Sequence, residues 1–134
     1  MTTTFCTAIN CIDGRTQLPL IKWLSKTWDI EHVDLVTEAG AVKVLANAPE
    51  SSEAESIYRR VEVSIRAHDS RAIAIAAHHD CAGNPVPDEQ QIDQLKSCLD
   101  ILAKRYPDLE ALALWVDDSW AVHEMAGRSP LLGP

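Results

Sequence analysis

A continuous run of small apolar residues, Ala-Ile-Ala-Ile-Ala-Ala over residues 72–77, constrains the fold of this chain more than any other feature. An apolar run of this length, without polar alternation, is typical of a strand buried on both faces in the middle of a parallel sheet. Its alanines also allow helices to pack closely against the strand. The rest of the chain should therefore supply further strands and the helices that connect them.

Short apolar runs and amphipathic stretches do alternate along the sequence. Strands are predicted over residues 4–10, 33–37, 72–77 and 112–116, with a short fifth strand over 121–124. Three helices are predicted between them, with inward-facing residues at helical spacing: Leu18, Ile21, Leu24 and Trp28 in the first, Ile57, Val61 and Ile65 in the second, Ile92, Leu95, Leu99 and Leu102 in the third. Ser52 with Glu55 forms a predicted capping box for the second helix, and Asp88 is the predicted cap of the third.

We therefore expect a three-layer α/β domain with helices on both faces of a mostly parallel sheet. The expected strand order is 2-1-3-4, with the short fifth strand at an edge. A single domain is predicted over residues 1–126, followed by a C-terminal tail over 127–134, where two prolines suit no regular element.

Charge and composition narrow the classes of function. The formal net charge of −8 argues against nucleic acid and acidic membrane surfaces as partners, because both require a basic face. No apolar run approaches the roughly 18–20 residues that cross a bilayer. Residues 1–11 lack the pattern of a secretory signal, so we expect a cytoplasmic location. The four cysteines are then expected to be thiols or metal ligands rather than disulfides.

Two short motifs carry the chemistry, Cys-Ile-Asp-Gly-Arg over residues 11–15 and His-His-Asp-Cys over residues 78–81. Each directly follows a predicted strand. In doubly wound sheets, ligands bind at the carboxyl ends of the strands, where the strand order reverses. If the first and third strands are neighbours, both motifs meet there. A phosphatase reading fails, because position 17 is Gln17 where a cysteine phosphatase loop needs arginine.

The residue types suit a zinc ion. Cys11, His78 and Cys81 provide thiolate and imidazole ligands, and three protein ligands leave a fourth position open, as at catalytic zinc sites. Arg15 can hold the Asp13 carboxylate through a bidentate pair and so orient it next to the metal. Asp13 is alternatively a fourth ligand that closes the site, which would make the zinc structural. Cys6 and Cys98 are expected to be buried hydrophobic residues.

The spacings Cys-x-Asp-x-Arg and His-x-x-Cys resemble the zinc signature of the β-class carbonic anhydrases. Residues 37–40, Thr-Glu-Ala-Gly, are similar to that family's Arg-Asn-Ala-Gly turn in their last two positions. The resemblance implies a zinc lyase that hydrates carbon dioxide reversibly to bicarbonate. Its zinc lowers the pKa of bound water to about 7, which gives a hydroxide nucleophile. It also implies Cys11, His78 and Cys81 as ligands, and an Asp13–Arg15 pair that positions the hydroxide.

The sequence also departs from the family pattern. Cys11 comes so early that the N-terminal helical arm, which embraces a partner subunit in the family, is not expected; a homodimer is nevertheless predicted. Glu38 stands where the family commonly has asparagine, and His79 replaces a small hydroxyl residue, either as a loop residue or as a proton shuttle. Two alternatives therefore stay open: a hydrolase of carbonyl sulfide or carbon disulfide, and a zinc-binding relative without hydratase activity that acts in regulation or assembly.

Overall fold

The computed structural model describes residues 4–130. Its elements follow in the order β1 (Phe5–Asn10), α1 (Gly14–Trp28), β2 (His32–Thr37), α2 (Ala41–Asn47), α3 (Ser52–His68), β3 (Ala72–His78), α4 (Asp88–Arg105), β4 (Glu110–Val116) and β5 (Val122–Arg128).

The strands form a five-stranded sheet in the order β2-β1-β3-β4-β5. The first four strands in the chain are parallel, and β5 is antiparallel to β4 at the edge. The predicted fold class and strand order are confirmed. The fifth strand was predicted too short, because it has seven residues and includes Gly127 and Arg128 of the predicted tail. Residues 131–134 of that tail lie outside the described residues.

The central strand β3 separates two hydrophobic clusters. Its isoleucines, Ile73 and Ile75, pack in the larger cluster with α2, α3 and α4, and its alanines, Ala74 and Ala76, pack in the smaller one with α1. This alternation follows from the two-residue period of a strand. Strand β3 therefore presents small side chains to α1 and large ones to α2, α3 and α4, and the sheet lies between two layers of helices. Within residues 4–130, no helix has both the length and the apolar character needed to span a membrane.

Helix α1 is rotated relative to its predicted orientation. Its buried side chains are Thr16, Leu20 and Leu24, each four residues apart, and Leu18 is 64% exposed. The prediction that Leu18 faces the core is therefore wrong, because a residue two positions from a buried one lies on the opposite side of a helix. Pattern alone did not reveal that the buried stripe begins at a threonine.

The predicted N-terminal caps of α3 and α4 are both wrong by one residue. Ser51 caps α3 instead of Ser52, because its extended backbone lets its hydroxyl accept a hydrogen bond from the backbone N–H of Ala54 at 3.2 Å. Asp88 is the first residue of α4 and does not cap it; Pro87 occupies the cap position without a side-chain hydrogen bond. The short helix α2 was not predicted at all.

Candidate metal centre

The two motifs meet at the carboxyl edge of the sheet. Cys11 directly follows β1, and His78 is the last residue of the neighbouring strand β3. Cys81 lies in the loop between β3 and α4. The predicted position at the carboxyl ends of adjacent strands is therefore where the structure brings these three residues together.

The three side chains form a compact and buried group. The Sγ atoms of Cys11 and Cys81 lie 3.8 Å apart, and the ligand atoms of all three residues lie within 4.8 Å of one another. Cys11, His78 and Cys81 are 6%, 1% and 5% exposed. Thiolate and imidazole groups at this separation can reach one ion together.

The hydrogen bonds of His78 leave one ring nitrogen free for a ligand bond. Its Nδ1 lies 2.7 Å from the backbone oxygen of His79, which can only accept, so Nδ1 carries the proton. Its Nε2 is buried and has no hydrogen-bond partner among residues 4–130. The side chain of Gln91 donates to the backbone oxygen of His78 at 2.9 Å and fixes the end of β3. A buried imidazole nitrogen without a partner, facing two sulfurs, is what a zinc ligand requires.

The same surroundings favour one thiolate. Burial raises the pKa of Cys11, but the facing imidazole of His78 and the N–H groups of Gly40 and Asp13 outweigh it, so that the pKa falls to about 7. Burial and the neighbouring Cys11 raise the pKa of Cys81. Burial lowers the pKa of His78, but the facing Cys11 sulfur raises it overall. A buried thiolate beside an imidazole favours a divalent cation in this position.

Asp13 is held by Arg15, as predicted. Arg15 donates from Nε to Asp13 Oδ1 at 3.0 Å and from Nη2 to Oδ2 at 2.7 Å. The Asp13 carboxylate also caps α1 by accepting from the backbone N–H of Arg15. The Arg15 hydrogen bond is the main reason that the pKa of Asp13 falls to about 2. Asp13 Oδ2 lies 4.0 Å from His78 Nε2, so this ionised carboxylate stands beside the candidate ligands.

A buried polar network that was not predicted fixes the loop of Cys11 and Asp13. Asn10, fully buried at the end of β1, donates to Thr16 Oγ1 at 2.9 Å and to Gln17 Oε1 at 3.0 Å. Gln17 donates in turn to the backbone oxygen of Cys11 at 2.8 Å, and Thr16 Oγ1 donates to that of Asp13 at 2.8 Å. The sequence did contain a signal for this network, since a polar residue, Asn10, ends the buried strand β1 directly before Cys11.

Two glycines bring a third loop against the site. Gly40 has a φ of +62°, and a Cβ there would lie 2.5 Å from the backbone oxygen of Gly83. The turn after β2 and the loop after Cys81 therefore touch backbone to backbone. Glu38, in the same turn, pairs with Arg60 at 3.0 Å, so its charge is balanced from α3.

The chain is similar in sequence and in fold to known proteins. A family model described as "putative carbonic anhydrase" matches residues 1–126. The chain belongs to this family. Its fold is similar to that in the crystal structures of two tetrameric β-carbonic anhydrases from the filamentous ascomycete Sordaria macrospora, with a TM-score of 0.61 at 10% sequence identity. The match covers 96% of this chain and 84% of that one. No curated protein sequence matches the chain significantly.

In this carbonic-anhydrase-like chain, several other side chains near the site and in the core have defined surroundings. His79 Nδ1 lies 3.0 Å from the carboxylate of Asp88, at the start of α4. Cys6 and Cys98 are buried free thiols, as predicted. Trp115 packs in the larger core cluster. Trp120 instead stacks on the Arg15 guanidinium, a contact that no sequence pattern indicated.

Proposed function

We propose that the protein is a zinc-dependent carbonic anhydrase that hydrates carbon dioxide reversibly to bicarbonate. One observation carries the proposal: in the part of the chain that the structure describes, the buried His78 Nε2 has no hydrogen-bond partner, faces two cysteine sulfurs, and lies 4.0 Å from the ionised Asp13 carboxylate. Membership of the carbonic anhydrase family supports it. The donor set suits zinc, because two thiolates and one imidazole leave one coordination position for the reaction.

In this proposal, Cys11 Sγ, His78 Nε2 and Cys81 Sγ hold the metal. Zinc, when bound, lowers the pKa of a coordinated water towards neutrality and so supplies the nucleophile. The hydrogen bond from His78 Nδ1 to the His79 carbonyl keeps the imidazole in the tautomer that presents Nε2. A reducing cytoplasm, the proposed location, would keep the two neighbouring thiols from forming a disulfide.

Asp13 and Arg15 orient the reaction. Because Arg15 occupies both carboxylate oxygens of Asp13, the carboxylate is held beside the metal position and not in it. Asp13 remains ionised at neutral pH, so Oδ2 can accept a hydrogen bond from the attacking water and direct its lone pair at the carbon of carbon dioxide.

The first experiment measures bound zinc in the purified protein and follows carbon dioxide hydration by stopped-flow across neutral pH. We expect about one zinc per chain and turnover that rises through a single ionisation.

Stoichiometric zinc without turnover would overturn the hydratase assignment while leaving the metal site intact. Carbonyl sulfide and carbon disulfide would then be the next substrates to assay, since both are small linear molecules that the same ligands could process. Absence of zinc from the wild-type protein, with no uptake on addition, would overturn the metal site itself.

The Asp13→Asn variant separates binding from catalysis. It should retain zinc and lose about 10- to 100-fold or more in turnover, because the amide cannot keep the charge that Arg15 orients. Asp93→Asn, on the exposed side of α4, is the matched control and should change neither value. Full activity in Asp13→Asn would remove the proposed role of the pair.

We further propose that the chain forms a homodimer through the surface next to the site. Ile12 and Leu18 are large apolar residues that are 62% and 64% exposed, one in the metal loop and one on α1. The structurally similar carbonic anhydrases are themselves described as tetrameric. Sedimentation velocity should give a dimer at micromolar concentration, and a Leu18→Glu variant should give a monomer. A wild-type protein that sediments only as a monomer would contradict this.

A further inference from the structure

Four residues other than glycine have a left-handed backbone within residues 4–130. Asp29 and Asp69 end α1 and α3, where this conformation is ordinary. Asp80, with a φ of 59°, and Trp120, with a φ of 62°, end no helix. Both of these contact the Arg15 guanidinium. Backbone strain outside helix ends is found preferentially at functional sites, where surrounding structure maintains it.

Trp120 is held in this conformation by the turn between β4 and β5. Its backbone N–H donates to the Asp117 carbonyl oxygen at 3.0 Å. The Asp117 side chain accepts from the backbone N–H groups of Ser119 and Ala121, at 2.8 and 3.0 Å. His123 Nε2 lies 2.6 Å from the other oxygen of that carboxylate. The turn therefore presents the indole face, whose centroid lies 4.4 Å from the Cζ of Arg15.

Asp80 restrains the same guanidinium from the loop between β3 and α4, which also carries Cys81. Its backbone oxygen accepts from Arg15 Nη2 at 3.2 Å, and its carboxylate accepts from Nη1 at 3.4 Å. Asp80 lies between His78 and Cys81, so the left-handed bend turns its carbonyl and its side chain towards Arg15. Three elements, α1, the β3–α4 loop and the β4–β5 turn, thus converge on one arginine.

We propose that Trp120 and Asp80 are positioning residues that fix Arg15, and through Arg15 hold Asp13 off the metal so that the fourth coordination position stays open. This inference rests on the proposed zinc site. It assigns a role to the β4–β5 turn, which contributes no candidate metal ligand.

The geometry explains why an arginine alone is not enough. The Arg15 side chain is 46% exposed, and an exposed ion pair holds two long side chains only weakly. Asp13 Oδ2 lies only 4.0 Å from His78 Nε2, so a small rotation would bring the carboxylate to the metal. The guanidinium lies against an aromatic face and donates to a carbonyl and a carboxylate of Asp80, which leaves it little freedom to follow such a rotation.

The test uses protein loaded with Co²⁺ in place of zinc, because its visible spectrum reports the coordination of the metal without any need for turnover. Azide serves as the probe of an open position. In Trp120→Leu, Asp13 should enter the coordination sphere, which changes the cobalt spectrum and weakens azide binding about tenfold. Trp120→Phe keeps an aromatic face and should behave as the wild type. Asp80→Asn should shift both readouts in the direction of Trp120→Leu.

A double variant identifies the route of the effect. If Trp120 acts through Asp13, Trp120→Leu should not weaken azide binding further in an Asp13→Asn background. An unchanged cobalt spectrum and azide affinity in both Trp120→Leu and Asp80→Asn would overturn the inference. A wild-type protein that does not hydrate carbon dioxide would overturn the proposed function alone, because the cobalt spectrum would still report whether the fourth coordination position is open.

Discussion

The four cysteines differ in reactivity because each has different neighbours. Burial raises the pKa of Cys6 and of Cys98 to about 12, and the nearby Asp34 adds to the rise at Cys6. The facing His78 imidazole and backbone N–H groups lower the pKa of Cys11 to about 7, in spite of its burial. At neutral pH, the metal-free protein should therefore hold one thiol that is readily ionised and two that are not.

Thiol titration with a chromogenic disulfide checks this difference. In the folded, metal-free protein, we expect Cys11 to react first and Cys81 next, and Cys6 and Cys98 to react only after denaturant is added. Bound zinc should protect the first two, because their sulfurs become ligands. Rapid reaction of four thiols in the folded protein would contradict the burial of Cys6 and Cys98.

Gly40 offers a second test at the scale of one residue. Alanine there would have to adopt a left-handed backbone and would meet the Gly83 carbonyl oxygen at 2.5 Å. We expect Gly40→Ala to lower the free energy of unfolding by about 2 kcal/mol or more, and to weaken zinc binding, because the Gly40 N–H faces Cys11. Gly14→Ala is the control. A Cβ at position 14 would have open space around it, so this variant should raise the free energy of unfolding by at most about 1 kcal/mol.

Denaturant titration of both variants measures the difference. Equal stability of Gly40→Ala and Gly14→Ala would show that the two loops adjust without cost.

The clustering of Cys11, His78 and Cys81 could be predicted from sequence, because their motifs follow two strands whose carboxyl ends meet at one edge of the sheet. Trp120 and Asp80 could not, since a left-handed tryptophan leaves no mark in the sequence and its contact to Arg15 depends on how a turn folds.

At the scale of elements, α1 contains a matched pair of leucines. Leu24 is fully buried in the smaller cluster, and Leu18 on the same helix is 64% exposed. Leu24→Ala should cost about 2–5 kcal/mol of unfolding free energy, because it leaves a cavity between helix and sheet. For the monomer, measured below the concentration at which the chain dimerises, Leu18→Ala should change the value by less than about 0.5 kcal/mol. Similar losses in both variants under those conditions would contradict the exposure of Leu18 in the monomer.

Strand β3 was predictable and helix α2 was not, for physical reasons. The run over residues 72–77 is apolar on both faces, which only a central strand needs. Helix α2 has seven residues and follows Gly40, which occupies the N-cap position in the left-handed conformation and provides no side-chain hydrogen bond. Its buried residues, Ala41, Val42 and Leu45, are too few to establish a helical period, so packing against the larger cluster defines it.

At the scale of the whole molecule, neither hydrophobic cluster of the described residues includes Cys11, His78 or Cys81. Both hydrophobic clusters lie within the layers of the sheet and helices, whereas the candidate ligands lie at one edge. Removal of zinc with a chelator should therefore leave the far-ultraviolet circular dichroism unchanged. The melting temperature should fall by several degrees, since a ligand at 100 times its dissociation constant stabilises by about 2.7 kcal/mol. Loss of secondary structure on chelation would indicate a metal-dependent fold.

The topology made the site predictable over a long sequence separation. Cys11 and His78 are far apart in the chain, but neighbouring parallel strands end at the same edge, so the strand order alone brings their loops together. The contacts that hold the loops of Cys11 and His78 in place were less predictable. The contact of Gly40 with Gly83, and the network from Asn10 to Gln17, depend on backbone approach and on buried amide orientation, which a hydrophobic pattern does not specify.

The direction of β5 has a consequence for how the protein responds to rising temperature. Because β5 is antiparallel, its connection from β4 emerges at the same edge as the metal loops, and this connection carries Trp120. Yet β5 is one of the two edge strands, and none of its side chains is fully buried. Edge strands open locally before a domain melts. Warming would thus loosen the contact between Trp120 and Arg15 while Cys11, His78 and Cys81 are still in place. The proposed hydratase activity would then be lost at a lower temperature than the fold.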